Sequence, residues 1–126
     1  VFLVSWRNPD SSMAHATWDD YIEQAAIKAI RVTQEISGQD QINALGFCVG
    51  GTLLSTALAL LYGRGENPVS SLTLLTSFLD FSDPGIIGVY IDEQQVAMRE
   101  QAIGRGGLMP GWQWTLDLTW RKYCTG

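Results

Sequence analysis

The sequence lacks several features that identify common classes of protein. It has only two cysteines, Cys48 and Cys124, too few for the disulfide framework of a small secreted domain, so we expect a reducing, cytoplasmic location. The net charge is −5, and no basic cluster is present, which argues against a nucleic-acid partner. The longest apolar stretch, residues 53–62, is too short to cross a bilayer, so no transmembrane segment is predicted.

Motifs for cofactors and metal ions are also missing. The glycine run at residues 104–107 lacks the Gly-Lys-[Ser/Thr] ending of a phosphate loop, and we predict neither a cofactor nor a metal ion. The composition, 46% hydrophobic and 17% charged, is typical of a globular chain, and 126 residues make one domain at most. Because an apolar run starts at the first residue, without methionine, we expect a piece of a longer protein.

The most informative motif is GFCVGG at residues 46–51. A G-x-nucleophile-x-G turn between a strand and a helix presents its central side chain at the carboxyl end of a sheet. Cys48 is then the nucleophile, and Gly46 and Gly50 are expected to relieve the clash that side chains close to it would cause in the strained turn. Gly51 is assigned to the elbow as a further structural residue. The backbone N–H of Val49 is the candidate oxyanion-hole donor. The alternative is a buried structural cysteine beside a glycine-rich turn.

The order of predicted elements favours a parallel α/β sheet. Residues 1–6, 41–45 and 71–77 are predicted strands, and helices are predicted from Thr17 to Gly38 and from the elbow to residue 62. In the first helix Thr17 and Asp20 form a capping box, and the apolar face comprises Trp18, Tyr21, Ile22, Ala25, Ala26, Ala29, Ile30 and Ile36. We assign residues 1–82 to a partial α/β-hydrolase core and residues 83–126 to the start of a cap or lid with a weak helix at 91–103.

A catalytic triad cannot be completed from these residues. The single histidine, His15, precedes the nucleophile, whereas this fold places the histidine after it, so His15 is better explained as a loop residue. Asp80 and Asp83 follow the third predicted strand, where an acid can stand, although a structural capping role is the simpler interpretation of Asp80. We therefore expect the isolated chain to be inactive.

Four segments together resemble the polyhydroxyalkanoate synthases: VFLVSWRNPD at residues 1–10, TWDDYI at 17–22, LGFCVGGT at 45–52, and LTLLT at 72–76 followed by LDF at 79–81. The resemblance extends to about residue 107, and the form of the box is similar to that of the single-subunit (class I) enzymes. It implies an α/β-hydrolase fold with a Cys-Asp-His triad, of which Cys48 is the nucleophile and the Asp and His lie beyond Gly126.

The resemblance also implies a function. Such an enzyme is an acyltransferase that polymerises 3-hydroxyacyl-CoA, with a preference for short chains such as 3-hydroxybutyryl-CoA, into a polyester with release of CoA. The implied partners are that substrate, the growing polyester at the surface of cytoplasmic granules, and a second copy in a homodimer. From about Met109 the sequence departs from the family pattern, and no function is assigned to Cys124 or to the nearby tryptophans.

Two other functions stay open at this point. The elbow also suits a cysteine-type hydrolase of the same fold, similar to dienelactone hydrolases or thioesterases. A non-catalytic, truncated relative that uses the fold for association is the third possibility. The intact elbow disfavours the third, and the segments around residues 5–9 and 17–20 disfavour the second.

Overall fold

The computed structural model describes residues 1–90 and 92–104. The chain forms two compact units, one comprising Val1–Trp6 with Ala16–Ile86 and the other comprising Arg7–His15 with Ile87–Gly126. The first unit contains the sheet and the elbow. The assignment of residues 83–126 to a cap stays a prediction.

The helical part of the first unit starts at the predicted capping box. Helix α1, Trp18–Tyr21, starts after Thr17, whose hydroxyl accepts from the Asp20 N–H at 3.3 Å, while the Thr17 N–H donates to the Asp20 carboxylate at 2.9 Å. These reciprocal bonds satisfy backbone donors that a helix start leaves without partners. Two hydrogen bonds to the Asp20 carboxylate lower its pKa: the bond from the Thr17 backbone N–H first, and second the bond from the Thr17 hydroxyl, which donates at 2.9 Å.

A π-helical segment, Ile22–Ile27, separates α1 from helix α2, Lys28–Ser37. It brings Ile22 and Ile27, five residues apart, to the core, and Ile30 is buried as well. The apolar face predicted from a 3.6-residue period did not include Ile27, which is buried. The prediction is also wrong for the first and last residues of that face, because Trp18 is 46% exposed and Ile36 is 65% exposed. The end of the helix is confirmed: Gly38 adopts the left-handed conformation at φ 65°.

The sheet consists of two parallel strands, β1, Ile42–Phe47, and β2, Val69–Leu75. Ala44 lies opposite Leu72, and Phe47 lies opposite Leu75. The predicted strands at 41–45 and 71–77 are thus present, with their limits shifted by one or two residues. Parallel pairing places the carboxyl ends of both strands at one edge of the sheet, where functional groups collect in folds of this kind.

Helix α3, Val49–Gly63, joins the strands and supplies four of the eight residues of the core cluster. It packs against β1 and the π-helical segment, and its Ala57 and Leu61 are fully buried. The core cluster comprises Ile22, Ile27, Ile30, Leu53, Ala57, Leu58, Leu61 and Val69. Burying one leucine side chain contributes roughly 1.5–3 kcal/mol, so this cluster is the main source of stability for the elbow above it.

The predicted strand at residues 1–6 is wrong. No strand is assigned there, and Phe2 and Leu3 are 52% and 93% exposed. An apolar run becomes a strand only when a neighbour completes its ladder, and in the described part of the chain β1 and β2 pair only with each other. Trp6 instead approaches the ring of Tyr21, with a centroid distance of 6.0 Å.

The second unit contains a 3₁₀ turn, Ser11–Met13, and helix α4, Glu93–Ile103. Asp92 caps α4 by accepting from the Gln95 N–H at 2.7 Å. This helix confirms the weak helical pattern predicted for residues 91–103. No helix within residues 1–90 and 92–104 has the length and apolar character needed to span a membrane.

Candidate active site

Cys48 is the single residue between the end of β1 and the start of α3. Its backbone, at φ 53° and ψ −127°, lies outside the helical, extended and left-handed regions that non-glycine residues ordinarily occupy. Such a conformation costs on the order of 1–3 kcal/mol and persists only where the surroundings hold it in place. It directs the chain from strand to helix in one residue and leaves Cys48 exposed.

Hydrogen bonds hold this residue on both sides. The Cys48 N–H donates to the carbonyl of Leu75 at 2.9 Å, which extends the β1–β2 ladder by one residue. The Cys48 carbonyl accepts from the N–H groups of Gly51 at 3.0 Å and Thr52 at 3.3 Å. The nucleophile candidate is therefore fixed to the neighbouring strand and to the first turn of α3.

Two of the three glycines of the elbow, Gly46 and Gly51, are required by close contacts. A Cβ on Gly46 would lie 2.4 Å from the Gly51 Cα, and a Cβ on Gly51 would lie 1.8 Å from the Ser77 hydroxyl oxygen. The expectation that Gly50 relieves crowding is wrong within the described residues, because a Cβ there meets nothing within 4 Å. The crowding arises between the strand end, the helix start and the segment after β2.

The start of α3 provides a positive electrostatic environment. The first N–H groups of a helix have no partner within it, and the helix dipole places positive potential at this end. Cys48 is the N-cap residue, and Val49 is the first residue of the helix. A negative oxygen facing the Val49 N–H is favoured by this arrangement.

The segment after β2 folds back onto the elbow, which the sequence reasoning missed. Thr76 has a φ of 46°, Ser77 fills the space left by Gly51, and the buried Thr52 hydroxyl donates to the Phe78 carbonyl at 2.6 Å. One signal was available: a G-x-C-x-G turn does not need Gly51, so a third glycine indicates close approach by another group.

The acid candidates lie in the loop beyond β2. Asp80 accepts from the Ser82 N–H at 2.9 Å, and the bonds from Ser82 lower the pKa of Asp80. Asp83 accepts from the Gly85 N–H at 2.9 Å. Both carboxylates thus cap local turns, in line with the structural interpretation. His15 is exposed in the second unit, at the turn after Ser11–Met13.

A shallow cavity lies at the other end of α3. Its volume is ≈ 290 Å³, and it is lined by Asp19, Ile22, Glu23, Leu60 and Arg64. Fifteen helical residues, roughly 22 Å, separate Arg64 from Cys48, so this cavity is remote from the candidate nucleophile. In the described part of the chain no group of three or more His, Cys, Asp or Glu side chains is placed to hold a metal ion. Cys124 and the tryptophans after residue 110 lie outside the described residues.

The strand–Cys–helix turn on a parallel sheet is typical of one class of protein. A family model described as the alpha/beta hydrolase fold matches residues 1–111. Since that match covers most of the 126 residues, the chain belongs to the α/β-hydrolase fold family. The predicted fold class is confirmed.

Within that class the chain is similar to poly(3-hydroxyalkanoate) polymerases. It is 64% identical over 110 residues to the polymerase subunit of Cupriavidus necator, an alignment that covers 87% of this chain and 19% of that protein. The corresponding subunit of Rhizobium meliloti is 34% identical over 111 residues, 88% of this chain and 18% of that protein. Poly(3-hydroxyalkanoate) polymerase 1 of Ectopseudomonas oleovorans is 29% identical over 122 residues, an alignment that covers 97% of this chain and 22% of that protein.

These alignments confirm the resemblance that the four sequence segments indicated. The chain spans about a fifth of the length of the curated relatives it matches.

Proposed function

We propose that this chain carries the nucleophile of a poly(3-hydroxyalkanoate) polymerase, an acyltransferase that uses 3-hydroxyacyl-CoA and releases CoA. The observation that carries the proposal is Cys48 in a strained conformation between a parallel strand and a helix. The 64% identity to a polymerase subunit over 110 residues supports the choice of reaction over the hydrolase alternative.

The first half of the reaction transfers the acyl group to the protein. The Cys48 thiol loses its proton to a base, and the resulting sulfur anion attacks the carbonyl carbon of the acyl-CoA. A new C–S bond forms, the C–S bond to CoA breaks, and CoA leaves as a thiolate that takes up a proton. One thioester replaces another of similar energy, so the step needs no additional energy source.

The negative charge that develops on the carbonyl oxygen needs a donor. We propose the Val49 N–H for this role, because Val49 is the residue after the nucleophile and begins α3. The two bonds that fix the Cys48 carbonyl, from Gly51 and Thr52, set the direction of that first turn. Gly46 and Gly51 permit the turn to form, whereas Gly50 leaves open space beside it.

The second half extends the polymer. The hydroxyl oxygen of another 3-hydroxyacyl unit attacks the carbonyl carbon of the Cys48 thioester, and a C–O ester bond forms while the C–S bond to Cys48 breaks. The hydroxyl proton passes to the released Cys48 thiolate, which restores the thiol. Water competes for the same carbonyl carbon, so exclusion of water decides between polymer and free acid. We propose that residues 83–126 belong to a cap that serves this purpose.

The finer assignments are also proposals. A preference for short acyl groups is supported by the form of the box at residues 46–52, which resembles that of the class I enzymes. A homodimer, a cytoplasmic location and contact with a polyester granule are supported by the resemblance to the synthases alone.

The test uses the full-length gene product that carries these residues. We expect Cys48→Ala to lower CoA release from 3-hydroxybutyryl-CoA by at least ~10³-fold, the scale of losses seen when a covalent nucleophile is removed. Cys124→Ala is the matched control, since it removes the other cysteine, and it is expected to retain the wild-type rate. Mass spectrometry of the trapped protein should locate a hydroxylamine-sensitive acyl group on the peptide that contains Cys48.

Two outcomes contradict the proposal. Undiminished CoA release by Cys48→Ala removes the assignment of the nucleophile. A wild-type protein that yields only free 3-hydroxy acid, with no polymer, is a hydrolase of the same fold.

A further inference from the structure

Thr52 connects the nucleophile to a distant segment of the chain. It lies in the first turn of α3, four residues after Cys48, and it is 9% exposed. Its backbone N–H donates to the Cys48 carbonyl at 3.3 Å. Its hydroxyl donates to the carbonyl of Phe78, 26 residues further on, at 2.6 Å.

The segment that receives this bond is residues 76–78, which we name the return segment. It begins at Thr76, a β-branched residue at φ 46°, where strain is expected because the side chain crowds the backbone. Ser77 then packs its side chain against Gly51 and donates to the Leu75 carbonyl at 3.2 Å. A strained residue persists when its neighbours hold it, and here the neighbours belong to the elbow.

Three hydrogen bonds and the stretch of chain from Leu75 to Phe78 form a closed loop of interactions. Cys48 is bonded to Leu75 of β2, the chain continues through Thr76 and Ser77 to Phe78, and Phe78 is bonded back to Thr52, which is bonded to Cys48. The strand end, the return segment and the first turn of α3 therefore fix one another. Among the described residues, one side-chain hydrogen bond joins α3 to the return segment. It is the bond from the Thr52 hydroxyl to the Phe78 carbonyl.

We infer that Thr52 is a positioning residue for Cys48, acting through its hydrogen bond to the Phe78 carbonyl. The inference rests on the proposed function of Cys48 as an acyl-accepting nucleophile. The bond holds the first turn of α3, and with it the Val49 N–H, in the orientation that the developing oxyanion needs. Placement errors of about 1 Å at a reacting centre cost up to ~10²-fold in rate, so one hydrogen bond at this point has a measurable effect.

The chain offers a matched control in the same helix. Thr56, one turn further along α3, also uses its hydroxyl as a donor, but it donates to the Thr52 carbonyl of its own helix at 2.8 Å. Thr52→Val and Thr56→Val each remove one hydroxyl and keep the shape of the side chain. They differ in whether the lost bond reaches the return segment.

The first measurement is the rate of CoA release by the full-length protein. Thr52→Val is expected to lower kcat by ~10–100-fold with KM changed less than threefold, because the bond orients the reacting groups rather than the bound CoA. Thr52→Ser retains the hydroxyl and is expected to recover most of the rate, and Thr56→Val is expected to match the wild type. Circular dichroism and urea midpoints verify that each variant is folded at the assay temperature.

A second comparison covers the case in which Thr52→Val does not fold. Thr52→Ser and Thr52→Ala both lose the methyl group and differ only in the hydroxyl, and alanine favours the helix. The serine variant should be at least ~10-fold faster than the alanine variant. Equal kcat for this pair, or a wild-type kcat for a folded Thr52→Val, overturns the inference.

A third measurement does not depend on the polymerase reaction. In the full-length protein, the second-order rate of alkylation by iodoacetamide is followed against pH at the peptide that contains Cys48, by mass spectrometry. Thr52→Val is expected to change that rate at least threefold, and Thr56→Val is not; identical profiles overturn the inference. If Cys48→Ala retains CoA release, the proposed function fails, while the alkylation comparison still decides whether Thr52 positions the thiol.

Discussion

At the scale of single residues, strain is concentrated where the two strands end. Cys48 follows β1 and Thr76 follows β2, and both are non-glycine residues with positive φ. The Cys48 N–H donates to Leu75, the residue before Thr76, so the two strained positions are adjacent across the sheet. Strain of this kind in neighbouring strands indicates that the edge is shaped for a purpose other than stability.

The three glycines of the elbow give a residue-scale prediction for stability. Gly46→Ala and Gly51→Ala are expected to lower the free energy of unfolding by about 1–3 kcal/mol, because each new Cβ overlaps a neighbouring atom. Gly50→Ala is expected to raise it by about 0.5–1 kcal/mol, because the position is helical and open. Urea unfolding of the three variants measures the difference.

A double variant identifies the cause of the Gly51 effect. The first atoms that a Gly51 Cβ meets belong to the Ser77 side chain, so Gly51→Ala combined with Ser77→Gly should recover part of the lost stability. Strict additivity of the two single variants, or a destabilising Gly50→Ala, would contradict this account of the elbow.

At the scale of elements, α3 has two roles at its two ends. Its first turn holds Cys48, and its later turns fill the core with Ala57 and Leu61, both fully buried. Movement of the helix is therefore coupled to movement of the nucleophile, and the packing of the core limits both.

Two adjacent leucines of α3 test this packing. Leu61→Ala is expected to lower the free energy of unfolding by about 2–5 kcal/mol, because it removes a side chain with no exposure and leaves a cavity. Leu60→Ala, one residue earlier and 37% exposed, is the matched control and should cost less than about 1 kcal/mol. Comparable losses in chemical denaturation for the two variants would show that this part of the core is wrongly described.

The π-helical segment Ile22–Ile27 changes which residues of the following helix, α2, face the core. Ile22 and Ile27 are both in the core although five residues separate them, a spacing that a regular α-helix would place on different sides. Periodicity counted at 3.6 residues therefore places Ile36 inward, whereas it is largely exposed. The irregular segment packs against α3.

At the scale of the whole molecule, several ion pairs and local turns are held by hydrogen bonds to ionised carboxylates. Hydrogen bonds from Ser12 and then from Arg7 lower the pKa of Asp10 to about 2, and Arg64 lowers the pKa of Glu23. Thr17 and Ser82 have the same effect on Asp20 and Asp80. Each group is solvent-exposed, so each contribution is modest.

These shifts predict sensitivity to acid. A carboxylate whose pKa is lower in the folded state stabilises the fold fully above its unfolded value near 4, and this contribution is lost as the pH falls through the folded value. The urea midpoint should therefore decrease between about pH 4.5 and pH 2. Asp20→Asn is expected to reduce the midpoint at pH 7 and to have a smaller effect at pH 3; a midpoint that rises on acidification would refute the prediction.

The extent to which the sequence predicted the fold differs from one segment to another. The capping box at Thr17, the stop at Gly38, the two paired strands and the helix after Cys48 follow from local rules, because each depends on residues within a few positions. Residues 1–6 have the composition of a strand but form none in this structure, because a strand depends on a partner that composition does not specify.

The same division applies to the candidate site. The sequence alone determined that a cysteine stands between a strand and a helix with glycines around it, since the turn itself requires that pattern. Only the tertiary structure decided that Gly51 is opposed by Ser77, that Gly50 is open, and that Thr52 reaches Phe78. Those contacts join residues about 26 positions apart, and such contacts are set by how β2 and α3 pack, which no local pattern encodes.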